Sequence, residues 1–112
     1  MSIIELQTNE DWKKLFLSTS DKPVLLLKHS TTCPISAEAH KEFIAFQESA
    51  SNEATYALVK VIEQRPVSNM IAEETGIKHE SPQCLLISEQ KVLWSDSHWS
   101  ITKKNLEKAL ND

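Results

Sequence analysis

The chain has 112 residues, 40% hydrophobic and 25% charged, a size and composition that suit a single globular domain over 1–112. A net charge of −4 and a pI near 5.5, with no basic cluster interleaved with aromatics, argue against nucleic acid or an anionic membrane as partner. The apolar runs at 24–27 and 84–87 are too short to span a bilayer, and Met1-Ser2-Ile3-Ile4-Glu5 has neither the cationic nor the apolar part of a signal peptide. Two cysteines in unlike surroundings do not make a secreted disulfide framework. The expectation is therefore a cytoplasmic protein in a reducing compartment, where a special cysteine tends to be catalytic, redox-active or a metal ligand.

Ile3-Ile4-Glu5-Leu6 reads as a short first strand. Thr8 or Asn9 offers an N-cap to a helix over about 9–17, with Glu10 and Asp11 in its first turn. Trp12, Leu15 and Phe16 form the core-facing stripe of that helix. Residues 18–23 have turn chemistry, and Pro23-Val24-Leu25-Leu26-Leu27 follows as a strand buried on both faces, with His29 and Ser30 at its end.

Ser30-Thr31-Thr32-Cys33-Pro34-Ile35-Ser36 is the stretch around which the chain is organised. A helix free of Gly runs on from it to Ser49, with Ile35, Ala39, Phe43, Phe46 and Ala50 as its apolar face. Pro34 suits the first helical position, because its fixed φ is helical and its missing N–H would be unpaired there anyway. Cys33 thus sits at a strand-to-helix junction. Unpaired backbone N–H groups and the positive end of the helix dipole favour thiolate over thiol at such a place. The plain structural reading is a small, half-buried cysteine without chemistry.

A third strand over 56–62 carries Val59 and Val61 on one face and Leu58, Lys60 and Ile62 on the other. Gln64-Arg65-Pro66 ends it, and 67–75 forms a short helix with Met70 and Ile71 inward. Gly76, the single glycine, stands where a helix ends at positive φ. After it, Ser81-Pro82-Gln83-Cys84 opens an apolar fourth strand, Glu89-Gln90 makes a hairpin turn, and 91–97 pairs back as an antiparallel fifth strand. Ile101, Leu106, Ala109 and Leu110 mark a terminal helix with Thr102 near its start. The order β-α-β-α-β-α-β-β-α implies an α/β three-layer domain, a mixed sheet with helices on both faces.

Cys33-Pro34-Ile35-Ser36 after a buried strand resembles the thioredoxin-superfamily active site, with serine in place of the second cysteine of a dithiol enzyme. More narrowly, Thr32-Cys33-Pro34-Ile35-Ser36 is similar to the TCPIS motif of the YtxJ-type monothiol bacilliredoxins. Gln64-Arg65-Pro66 and Ser81-Pro82 are further markers, and the resemblance covers essentially the whole chain. It implies a thioredoxin-like fold and a cis Ser81–Pro82 bond beside the sulfur. It also implies a monothiol disulfide reductase that removes bacillithiol, a low-molecular-weight thiol, from protein mixed disulfides. Bacillithiol would be co-substrate, no metal or organic cofactor would be bound, and an NADPH-dependent bacillithiol disulfide reductase would act downstream. The partners would be bacillithiolated client proteins.

On this reading Cys33 is the nucleophile, Pro34 starts the helix, and Ser36 lies one turn on, able to hydrogen-bond the thiolate and unable to form a disulfide. By the fold analogy Thr31, Thr32, Ile35, Ser81, Pro82 and Gln83 would contact substrate. Leu27 stands where many thioredoxins have a buried acid serving their second cysteine, in keeping with a monothiol centre. Cys84 reads as a buried apolar cysteine or as a resolving thiol, the latter requiring the two Cα atoms within about 7 Å. His29 reads as an ordinary partly exposed histidine or as a residue that tunes the thiol; His40, seven residues past Cys33, can share its helix face, but two ligands do not make a zinc site. Two other classes remain open: a dithiol reductase or redox sensor using Cys84, and a non-catalytic thioredoxin-fold binding module.

Overall fold

The computed structural model describes residues 3–49 and 54–111. Its elements in chain order are β1 (Ile4–Glu5), α1 (Asn9–Ser18), β2 (Val24–His29), α2 (Pro34–Ser49), β3 (Thr55–Lys60), α3 (Arg65–Thr75), β4 (Gln83–Ser88), β5 (Lys91–Ser97) and α4 (Lys103–Asn111). A single 3-10 turn, His98–Ser100, links β5 to α4. The sheet order is β1-β3-β2-β4-β5. β2 runs parallel to β3, while β4 is antiparallel to both β2 and β5.

Side-chain alternation along the central strands builds two cores. Leu25 and Leu27 of β2 join Ala39, Phe43 and Phe46 of α2 and Leu106 of α4 on one face. Val24 and Leu26 join Trp12 and Leu15 of α1 and Val67 and Ile71 of α3 on the other. This is the three-layer arrangement that the run of elements implies. β2, covered on both faces and paired on both edges, is its centre, and its C-terminal end delivers the chain to Cys33. Ala50, assigned to the apolar face of α2 from sequence, lies outside the described residues.

Local chemistry accounts for the boundaries. Thr8 caps α1, its Oγ1 accepting from the Asp11 N–H at 3.1 Å while Asp11 Oδ2 accepts from the Thr8 N–H at 3.2 Å. Gly76 ends α3 at φ 72, and its N–H donates to the Ala72 carbonyl. The β4–β5 hairpin turns through Glu89 and Gln90, both at positive φ without being Gly or Asn. Thr19 at the end of α1 holds them, its carbonyl accepting from the Glu89 N–H and its Oγ1 from the Gln90 N–H.

β2 runs to His29, the strand end expected from sequence, because Lys28 and His29 still have ladder partners in β3. One expectation needs correction. β3 stops at Lys60, so Val61 and Ile62 fall in a turn closed by the Gln64 N–H on the Lys60 carbonyl. Ile62 is consequently 48% exposed and does not share a strand face with Leu58.

Candidate active site

Beyond His29 the chain leaves the ladder in a tight turn, the Cys33 N–H donating to the Ser30 carbonyl at 3.3 Å. The Ala37 N–H then donates to the Cys33 carbonyl at 3.0 Å, which makes Cys33 the cap of α2 and Pro34 its first helical residue. Cys33 is partly exposed, Thr31, Thr32 and Pro34 are exposed, Ile35 is half-buried and Ser36 is fully buried. The reactive candidate is thus presented to solvent at a helix N-terminus.

Ser36 is oriented by the strand it packs against. Its Oγ accepts from the Ser30 N–H at 2.9 Å and lies 2.8 Å from His29 Nδ1. The Ser30 N–H is beyond the registered end of β2 and would otherwise be a buried unpaired donor. The hydroxyl expected from sequence to serve the Cys33 thiolate is therefore engaged with the end of β2. His29 is almost fully buried, its ring centroid 4.5 Å from that of His40. Burial first, and the neighbouring His40 second, push the His29 pKa below its ordinary value, which leaves the ring neutral at pH 7. Thr31 Oγ1 donates to Glu63 Oε2 at 3.3 Å, and the hydroxyls of Ser30 and Thr32 are 3.3 Å apart.

The Ser81–Pro82 bond is cis. Pro82 is buried, and its carbonyl accepts from the His98 N–H at 3.0 Å, which brings the 3-10 turn to its side. That turn also packs on α2 and carries Trp99, 68% exposed. The buried Ser81 Oγ and Gln83 Oε1, flanking Pro82, have no hydrogen-bond partner among the described residues. Gln83 Nε2 donates to the Lys78 carbonyl at 2.9 Å.

Lys28 is a residue the sequence reading passed over. It is fully buried, opposite Gln83 in the ladder, and its Nζ donates to the Ser68 carbonyl at 3.2 Å and to His79 Nδ1 at 3.3 Å. Burial brings its pKa down to about 8. Lys28 and Gln83 together tie the segment that leads into Pro82 to the sheet and to α3. A lysine inside an otherwise apolar strand was the available signal, since lysine is almost never fully buried unless paired.

Cys84 is also fully buried, in the core shared with Phe43 and Ala39, with Leu27 as its partner across the ladder. Burial pushes its thiol pKa well up, so it stays protonated at neutral pH. Both cysteines are free. Among the described residues no three of His, Cys, Asp and Glu converge as a metal-ligand set.

A sequence model of the family Monothiol bacilliredoxin BrxC matches residues 4–106. The chain belongs to the monothiol bacilliredoxin family. A solved structure described as a candidate oxidoreductase with a thioredoxin fold is 31% identical, with a TM-score of 0.86 over 96% of this chain and 93% of that one. The thioredoxin of Fasciola hepatica is 15% identical with a TM-score of 0.78 over 97% of each chain. The thioredoxin of Malassezia sympodialis is 19% identical with a TM-score of 0.77 over 98% of this chain and 89% of its own. The last two speak to fold alone. Family and fold together assign thiol–disulfide redox chemistry to the chain. No helix among the described residues is long and apolar enough to cross a membrane.

Proposed function

We propose that this protein removes bacillithiol from protein mixed disulfides by thiol–disulfide exchange at Cys33. The Cys33 thiolate attacks the bacillithiol sulfur of the client disulfide, the client cysteine leaves as thiolate, and Cys33 becomes the bacillithiol adduct. A free bacillithiol thiolate then attacks that sulfur, which restores the Cys33 thiolate and releases oxidised bacillithiol. A separate NADPH-dependent bacillithiol disulfide reductase would regenerate the small thiol. Neither step requires a bound metal or organic cofactor. Such a cycle belongs in the cytoplasm, where low-molecular-weight thiols are kept reduced.

The observation that carries this reading is the contrast between the two cysteines. Cys33 is partly exposed at the start of α2, with a serine one turn on, whereas Cys84 is sealed in the core and held protonated by burial. That contrast supports a monothiol cycle over a dithiol one. Family membership supports bacillithiol as the thiol, and the partly exposed strand-to-helix position of Cys33 supports catalysis over an inert binding module. The test is release of a client thiol from its bacillithiol mixed disulfide, followed with wild type and Cys33→Ser. Wild type should turn over only with free bacillithiol present, and Cys33→Ser should be inactive. Wild-type rates from Cys33→Ser would remove Cys33 from the mechanism.

A further inference from the structure

The turn that carries Cys33 walls one side of a cavity of about 430 Å³, which also reaches the ends of β1 and β3. His29, Thr31, His40, Lys60, Glu5 and Leu58 line it. The volume is that of a small-molecule site. The cavity adjoins the reactive turn at Thr31, two residues before Cys33, and His29 in its lining is bonded to Ser36, one turn after the cysteine.

Its polar lining consists mostly of donors. The Lys60 ammonium has three N–H groups and a neutral imidazole retains one ring N–H at each histidine, whereas the Thr31 hydroxyl hydrogen is given to Glu63. Burial and the nearby Lys60 charge both hold the His40 pKa below its ordinary value, and Lys60 acts on His29 in the same direction. An anion in the cavity would oppose that effect of Lys60. Glu63 stands just outside on Thr31, and Glu5 is the one carboxylate in the lining. Its pairing with Lys60 is long, 3.6 Å, and both side chains are more than a third exposed, so it is a weak competitor. Leu58 supplies an apolar wall.

We propose that this cavity seats the carboxylate-bearing body of a low-molecular-weight thiol while its sulfur is joined to Cys33, with Lys60 and His40 as the recognising groups. The proposal rests on the reading that Cys33 exchanges with such a thiol. It adds where the thiol's body lies and which chemical class is preferred. Forming the adduct is plain exchange: the Cys33 thiolate attacks a symmetrical disulfide RSSR, one R–S–S–Cys33 bond forms, and RS⁻ departs, with no net change in oxidation level.

Two thiols of equal length that differ in charge provide the test, 6-mercaptohexanoate and 6-mercaptohexanol. Reduced protein is equilibrated with equal concentrations of both thiols and both symmetrical disulfides, and the two Cys33 adducts are quantified by intact mass. Wild type should favour the carboxylate adduct. Lys60→Met and His40→Phe should each lower the ratio of the two adducts by roughly three- to tenfold, the range for a charge-assisted hydrogen bond at a partly solvated site. Glu5→Gln should raise it. His40→Phe is the decisive variant, because it removes a donor and no charge. An unchanged ratio in His40→Phe, whatever Lys60→Met does, would reduce the effect to long-range charge and overturn the cavity. Absence of any adduct on wild-type Cys33 would instead overturn the exchange reading, and this proposal with it.

Discussion

Replacing Ser36 by cysteine converts the proposed monothiol centre into a dithiol one, and the structure indicates what the change costs and what it alters. Ser36 is fully buried, and its Oγ makes two short hydrogen bonds, to the Ser30 N–H at 2.9 Å and to His29 Nδ1 at 2.8 Å. A thiol is a poor substitute in both, so the reduced variant should lose about 1–3 kcal/mol of stability, the net worth of two ordinary hydrogen bonds. Against this stands a large kinetic gain. A thiol fixed one helical turn from Cys33 reacts intramolecularly, and orientation of this kind is worth up to about 7–11 kcal/mol of barrier. If only about 4 kcal/mol of that is realised, the Cys33 adduct is expelled roughly a thousandfold faster than without it. The assay is intact mass after one turnover with a bacillithiolated client, before any free thiol is added. Wild type should retain the bacillithiol mass. Ser36→Cys should lose it and finish two hydrogens lighter than the reduced protein. A wild-type protein that clears its adduct unaided and becomes two hydrogens lighter would refute the reasoning, because Cys84 would then be acting as the resolving thiol.

Cys84→Ser places a hydroxyl in the apolar core beside Phe43, at an expected cost of about 1–3 kcal/mol, while the first transfer to Cys33 should proceed at a rate close to wild type. Loss of transfer from a variant that melts as a folded protein would give Cys84 a chemical role. Lys28 sets a pH dependence of stability. Its native pKa is brought down to about 8 from an ordinary 10.5, so between these values the unfolded chain holds a proton that the native protein lacks. Stability from this group therefore rises with pH across that window and is lost as pH falls through about 8. Urea unfolding at pH 8 and pH 10 should show wild type gaining on Lys28→Met as pH rises, and a constant gap between the two would refute the assignment.

Much of the architecture was legible because single residues mark its joints. Pro34 marks the start of α2, Gly76 the end of α3, and the apolar 24–27 and 84–87 runs mark strands covered on both faces. The hairpin at Glu89 and Gln90 was legible from its place between strands, although neither residue favours the positive φ it adopts. Less legible was everything decided by partners distant in sequence. Periodicity treats Lys28 and His29 as the polar end of a strand, yet both are buried because α3 and α2 cover the sheet there and supply acceptors and a ring contact. The direction of the Ser36 hydroxyl depends on a Ser30 N–H that is unpaired only once the β2 ladders end. The cavity between α2 and the β1–β3 edge joins residues from β1, β2, the turn after it, α2 and β3, a juxtaposition that no spacing along the chain records.

The central claim is that one sulfur, Cys33, takes up the bacillithiol released from a client. The direct measurement is to mix the reduced protein with a stoichiometric amount of a bacillithiolated client, quench with acid, and locate the added mass by peptide sequencing. The account predicts one equivalent of bacillithiol on the peptide containing Cys33, none on the peptide containing Cys84, and one free client thiol per adduct. Bacillithiol on Cys84, or a client thiol released with no adduct on Cys33, would contradict it.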